Sequence, residues 1–265
     1  MSTTQALVLA VVEGLTEFLP ISSTGHMIMV SSLMGIGKDE FTKFFEIAVQ
    51  LGAIFAVVVL YWRKFINFKS WQFYIKLIIG VIPALIFGLM LSSKIDEMLM
   101  DPMYTALALL GGGFVLLFID NFFHRAEIKE EKDITYKNAI IIGLCQCAAL
   151  VPGVSRSAAS IIGGLQQKLS RKLAAEFSFF LAVPTMAAAT GYKLLKVMQD
   201  NPAILKDASN MKALLIGNAV AFVVAFLTMR FFVDFLKKYG FKVFGWYRII
   251  VAMIFLLMIK MNQIR

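Results

Sequence analysis

Apolar residues run through this chain in long blocks, and polar residues are confined to the gaps between them. Six blocks, at 47–62, 73–91, 103–119, 177–192, 213–229 and 243–259, are apolar almost throughout. Each approaches the roughly 20 residues that a helix needs to cross a bilayer. The interruptions include Lys76 and Pro83 in the second block and Arg248 inside the last. Two further stretches, 1–34 and 138–165, have apolar arms on either side of a polar centre. Their arms of about a dozen residues are too short to cross. They are predicted to enter and leave on one side as re-entrant helical hairpins, since non-helical backbone at depth is tolerated where it lines a polar cavity.

The order of these pieces repeats. A hairpin and three spans make up 1–122, a charged loop covers 123–137, and a second hairpin with three spans makes up 138–265. Pro20-x-x-Ser23 aligns with Pro152-x-x-Ser155, and Phe45-x-Ile47-Ala48-Val49 with Phe179-x-Leu181-Ala182-Val183. A hairpin makes no net crossing and three spans make one, so the second half starts on the opposite side. The expected fold is an all-α integral membrane protein of two inverted-topology repeats. Loop charge orients it. The loops 63–72 (Arg63, Lys64, Lys69), 123–137 (Arg125, Lys129, Lys132, Lys137, beginning at His124) and 234–244 (Lys237, Lys238, Lys242) fall on one side, which the positive-inside rule makes cytoplasmic. The loop 92–102 carries a single Lys among Asp96, Glu97 and Asp101 on the other side. The polar loop 193–212, with Lys193, Lys196, Lys206 and Lys212, fits less well. Both termini then lie outside, and the two hairpin tips meet near the midplane.

Composition narrows the class. Of 265 residues, 59% are hydrophobic and only 16% charged, which leaves no separate soluble domain. The formal charge of +9 does not point to nucleic acid, because the basic residues sit in short loops between apolar runs. The apolar run 6–12 is cut by Glu13 with no basic residue before it, so no cleaved signal peptide is expected. Cys145 and Cys147, two apart on a helix, read as packing residues rather than a disulfide or soft-metal site.

The chemistry sits at the tips. The first reads Glu13-Gly14-Leu15-Thr16-Glu17-Phe18-Leu19-Pro20-Ile21-Ser22-Ser23-Thr24-Gly25-His26. Ionisable groups at membrane depth are costly, and a cluster of them marks a functional site. Glu13 and Glu17 share a helix face, where they either share a proton or hold a cation. Ser23 and His26, three apart, pair a hydroxyl with a base. The second tip, Pro152-Gly153-Val154-Ser155-Arg156-Ser157, suits an oxyanion. Gly153 permits close backbone approach, Ser155 and Ser157 supply hydroxyls, and the helix start supplies N–H groups. Arg156 offers a planar fork for phosphate, or else it neutralises Glu13 or Glu17. Thr24 and Gln146 are secondary candidates. Two carboxylates beside a phosphate suit a hard divalent cation, Mg²⁺ or Ca²⁺. Together the tips form a constellation for phosphoryl transfer, which depends on positioning and charge neutralisation.

These two motifs resemble the signatures of the bacterial undecaprenyl-pyrophosphate phosphatases of the bacitracin-resistance type, and the resemblance covers essentially the whole chain. It implies hydrolysis of undecaprenyl diphosphate to the monophosphate, recycling the carrier lipid for cell-wall synthesis in the bacterial plasma membrane. It implies metal and catalytic roles for Glu13 and Glu17, catalytic roles for Ser23 and His26, and phosphate binding at Arg156 between Ser155 and Ser157. Ser23 attacking with His26 as base, and direct attack by His26, are both open. The partners expected are the polyprenyl diphosphate lipid, the bilayer and a second copy of the chain, with the active site facing outward. The rival reading is a transporter or flippase of a lipid phosphate, which shares the architecture but needs no nucleophile.

Overall fold

The computed structural model describes residues 1–67, 71–123 and 125–264; Lys69 and His124 of the predicted loops lie outside them. The described residues are helical almost throughout. The first hairpin is α1 (Thr3–Thr16) and α2 (Ser23–Leu33). There follow α3 (Glu40–Ala48), α4 (Gln50–Leu60), the short α5 (Trp62–Phe65), α6 (Trp71–Met90), α7 (Ser92–Met100) and α8 (Pro102–Phe122). The second hairpin is α9 (Tyr136–Gln146) and α10 (Arg156–Gln166). The chain ends with α11 (Arg171–Asp200), the short α12 (Ala203–Lys206), α13 (Ala208–Tyr239) and α14 (Lys242–Lys260). Six segments among the described residues are long and apolar enough to cross a membrane: α3 with α4, α6, α8, α11, α13 and α14. The protein is a multi-pass membrane protein.

Each predicted apolar block falls in one of these six to within two residues at its end, but two predicted loops are helical. Ser92–Met100 forms α7. In 193–212, α11 continues to Asp200 and α13 starts at Ala208. Hydropathy marks the apolar part of a helix. It does not mark where the backbone ladder stops, and Lys, Glu and Met are good helix formers past the apolar section.

Ion pairs gather at two ends of the bundle. Lys64–Glu131, Lys168–Glu127 and Arg171–Asp120 tie one end, where an isolated bridge also joins Ile128 to Leu169. Lys196–Asp96 and an Asn201–Glu40 hydrogen bond tie the other. The two halves of the chain do not pack separately: α1 and α4 lie against α13, α6 against α9, and α8 against α14.

The hairpin arms are short, at 14 and 11 residues in the first and 11 each in the second. At 1.5 Å per residue they reach roughly 17–21 Å. Their turns share one uncommon backbone state. The N-cap of α2 is Ser22 with φ 69°, and the N-cap of α10 is Ser155 with φ 78°. Each hydroxyl accepts a bond from the backbone N–H three residues on, at Gly25 and Ala158. Positive φ at serine costs on the order of 1–3 kcal/mol and persists where its surroundings impose it. The caps align Ser22 with Ser155, and therefore Ser23 with Arg156. The proline-based alignment predicted Ser23 opposite Ser155. It is off by one, because the second turn holds an extra residue.

Candidate active site

The two turns touch. Ser157 Oγ donates to the Leu19 carbonyl at 2.7 Å, and Phe18 meets Phe179 edge-on at 5.2 Å. Ser23 opens α2 and Arg156 opens α10, and Arg156 reaches across to the first hairpin.

Glu17 stands between them. It caps the C-terminal end of α1 while keeping helical backbone angles, and its carboxylate is buried. Ser23 Oγ donates to Glu17 Oε2 at 2.5 Å. Arg156 donates to Glu17 Oε1 from Nε at 3.3 Å and from Nη2 at 3.1 Å. Its Nη1 donates to the Ser178 carbonyl at 2.9 Å, and the guanidinium lies 6.0 Å from the centre of the Phe18 ring. The predicted ion pair of Arg156 with a motif carboxylate is therefore present, on Glu17. A guanidinium and a carboxylate at this depth stabilise one another, since either alone would be an uncompensated buried charge.

His26 is placed differently from the sequence reading. Its Nδ1 is 2.8 Å from the Ser22 carbonyl, and its Nε2 is 2.9 Å from the Tyr247 hydroxyl. The two rings stack at 5.6 Å with 9° between planes. The proton acceptor bonded to Ser23 is thus Glu17, with both nitrogens of His26 engaged elsewhere. Tyr247 was not singled out in the sequence, and nothing local to α14 signals it.

A cavity of about 180 Å³ lies between the tips. Glu17, Ser23, Thr24, Gly153, Ser155 and Arg156 line it, together with Gln50, Gln146 and Thr185. It shares Thr24, Gln50, Ala149 and Leu150 with a vestibule of about 740 Å³ whose wall carries Lys38, Lys43, Glu46, Lys193 and Lys196. Glu13, His26 and Ser157 are outside the walls of both. Gln146 Nε2 donates to Thr185 at 3.2 Å. Gly153 takes φ +93°, and a Cβ there would overlap the Thr105 carbonyl of α8. The predicted close approach at this glycine is thus made to another helix of the protein.

Glu13 is fully buried beside Glu17, where the two carboxyls either share a proton or hold a cation, and neither of its oxygens receives a hydrogen bond from any other group. Orphaned carboxylate oxygens beside a second carboxylate are the ligand type that Mg²⁺ or Ca²⁺ takes, and Mg²⁺ is commonly held by one or two carboxylates with substrate phosphates completing its shell. The donor chemistry therefore fits a hard cation. No third Asp, Glu, His or Cys joins them among the described residues, so the remaining ligands would be hydroxyl, water or phosphate oxygens.

One more residue belongs here. Arg248 of α14 is fully buried and donates to carbonyls of both turns: Pro20 at 3.2 Å, Gly153 at 2.8 Å and Val154 at 3.0 Å. The sequence shows it only as a charge within the last span.

Residues 6–254 match the family model described as bacitracin resistance protein BacA. A protein of Flavobacterium johnsoniae named undecaprenyl-diphosphatase is 54% identical over 258 residues, covering 97% of this chain and 96% of the relative. One of Bdellovibrio bacteriovorus with the same name is 46% identical over 261 residues, covering 98% and 97%. One of Campylobacter jejuni is 42% identical over 256 residues, covering 96% and 94%.

Proposed function

The chain belongs to the bacitracin resistance protein BacA family, and on that ground we propose that it is a membrane-embedded undecaprenyl-diphosphatase whose reaction takes place between the two hairpin tips. The observation that carries this reading is the single cavity walled by Ser23 and Glu17 from one tip and Arg156 from the other. A bilayer-facing apolar surface would hold the polyprenyl tail, and the vestibule would admit the diphosphate end. The substrate is an undecaprenyl diphosphate, and the products are undecaprenyl phosphate and inorganic phosphate, recycling the carrier lipid.

The hydrogen-bond pattern supports Ser23 as nucleophile and Glu17 as its base. The Ser23 oxygen forms a bond to the terminal phosphorus, its proton passes to Glu17, and the bridging oxygen leaves with undecaprenyl phosphate. Water then attacks the phosphoserine; Ser23 leaves, recovers the proton from Glu17, and the phosphate departs carrying the water oxygen and both of its protons. Arg156 would turn part of its fork from Glu17 to the phosphate, with the cavity hydroxyls of Thr24 and Ser155 beside it. Ser157, bonded to Leu19, would hold the tips together. His26, locked between Ser22 and Tyr247, would fix the start of α2. Glu13 and Glu17 would hold a divalent cation, which when bound neutralises charge on the phosphates.

The same reading includes the finer architecture: two inverted repeats, 1–122 and 138–265, joined by the cytoplasmic loop 123–137. Several features support it. The hairpin arms are shorter than the ~30 Å hydrocarbon core. Ser22 and Ser155 share a backbone state. Basic residues are concentrated at the end holding Lys64, Lys168 and Arg171. The vestibule, lined also by Asp96 and Lys196, would then open outward.

The test is phosphate release from undecaprenyl diphosphate by purified protein in detergent, where transport across a membrane has no meaning. The wild type should release phosphate. Glu17→Gln and Glu13→Gln should each lower turnover at least 100-fold, and EDTA should abolish wild-type activity until Mg²⁺ or Ca²⁺ is restored. No release by the wild type, with or without cation, would favour the transporter reading. Full activity in EDTA would remove the metal.

A further inference from the structure

Arg248 carries more than a buried charge requires. A guanidinium has five N–H donors in one plane. Here they meet five main-chain carbonyls. Nε donates to Leu109 at 3.2 Å, Nη1 to Pro20 at 3.2 Å and Val154 at 3.0 Å, and Nη2 to Ala108 at 3.1 Å and Gly153 at 2.8 Å. The acceptors belong to three segments: the turn before α2, the turn before α10, and the middle of α8. Pro20 precedes the cap Ser22 by two residues, and Gly153 and Val154 immediately precede the cap Ser155. The three contacts to the turns are thus made just upstream of the residues whose strained backbone aims Ser23 and Arg156, and the other two fix the guanidinium to α8. No carboxylate pairs with Arg248 among the described ion pairs, so its bonding is to backbone position rather than to charge.

The helix opposite is built to admit it. Gly111-Gly112-Gly113 lies in α8, although each glycine in a helix interior costs about 1 kcal/mol. A Cβ on Gly112 would overlap Arg248 Nη2, and one on Gly113 would come within 3.1 Å of Arg248 Cβ. Gly112 and Gly113 are accounted for by this close passage, whereas a Cβ on Gly111 would meet no neighbour.

We propose that Arg248 is a positioning residue for the reaction: it sets the spacing between the two hairpin tips, and with it the alignment of Ser23 and Glu17 against Arg156. This rests on the phosphatase reading above. The side chain does not line the reaction cavity, so it acts through the tips. A planar fork is required, because an ammonium offers three donors from one point and cannot reach five carbonyls in one plane.

The experiment is steady-state phosphate release from undecaprenyl diphosphate by detergent-purified wild type, Arg248→Lys and Gly112→Ala, with rates normalised to folded protein by thermal unfolding in the same detergent. Wild-type release is the control: its absence overturns the phosphatase reading, whereas the variants bear on Arg248 alone. A misplacement near 1 Å costs about 100-fold in rate. Arg248→Lys is therefore expected to lose about 100-fold in kcat while KM changes less than about threefold, with no recovery at temperatures well below its unfolding transition. Gly112→Ala, which displaces the guanidinium without removing it, should lose kcat in the same direction and to a smaller extent. If Arg248→Lys does not fold, Gly112→Ala decides the matter. Wild-type kcat per folded molecule in whichever variant folds, or a loss confined to KM, would overturn the proposal.

Discussion

At the scale of single residues, the site follows from a shortage of partners at depth. Glu17 is buried and spends both oxygens, one on Ser23 and one on Arg156, which is how a buried carboxylate becomes tolerable. The pairing leaves Arg156 two roles, neutralising Glu17 and clamping a phosphate, and they separate by substitution. Lys keeps the charge and loses the fork. Arg156→Lys should therefore lower kcat/KM by about 2–4 kcal/mol, the range for a charge-stabilising donor that strengthens in the transition state. Arg156→Ala should lower it further and also lower the unfolding temperature. Near-wild-type kinetics for Arg156→Lys would leave only the neutralising role. The gathering of Glu17, Ser23 and Arg156 at one place, with Glu13 buried beside them, was legible in the sequence because charge and hydroxyl clusters are rare in apolar surroundings. The partner of Ser23 was not legible. His26 is nearer in sequence spacing, but Tyr247, 221 positions away, claims its ring, and only tertiary packing reveals that.

At the scale of elements, the turns matter more than the arms. The two pairs of short helices were legible from the length of their apolar arms and from the prolines between them. The register of the two serine caps was missed, because a positive φ leaves no mark in the residue letters when the residue is serine rather than glycine. Gly153 is the counterpart that does show. Its φ of +93° and its closeness to Thr105 leave no room for a side chain. Gly153→Ala should destabilise the protein by roughly 2–4 kcal/mol, combining strained backbone with overpacking. It should also shift the second tip, so that phosphatase activity falls along with the unfolding temperature. A normal melting curve for Gly153→Ala would contradict the close packing of this turn on α8. The extended ends of α11 and α13 were not legible as helix, because their lysines read as loop. At a membrane boundary Lys can extend its charged end to the interface and remain helical.

At the scale of the whole molecule, the order of apolar blocks gave the element plan, and the interlocking of the halves through α1 with α13, α6 with α9 and α8 with α14 came only with the structure. That interlocking is what brings two turns from distant parts of the chain to one 180 Å³ cavity. The central claim is that the two tips act as one catalytic unit. A double-mutant cycle on kcat/KM for undecaprenyl diphosphate tests it, with Ser23→Ala on the first tip and Arg156→Lys on the second. Residues that act together are strongly non-additive, and once one is lost the other has little left to contribute. The account predicts that the double variant is no more than a few-fold slower than the worse single variant. Losses that multiply, with the double variant slower by the product of the two single effects, would contradict it.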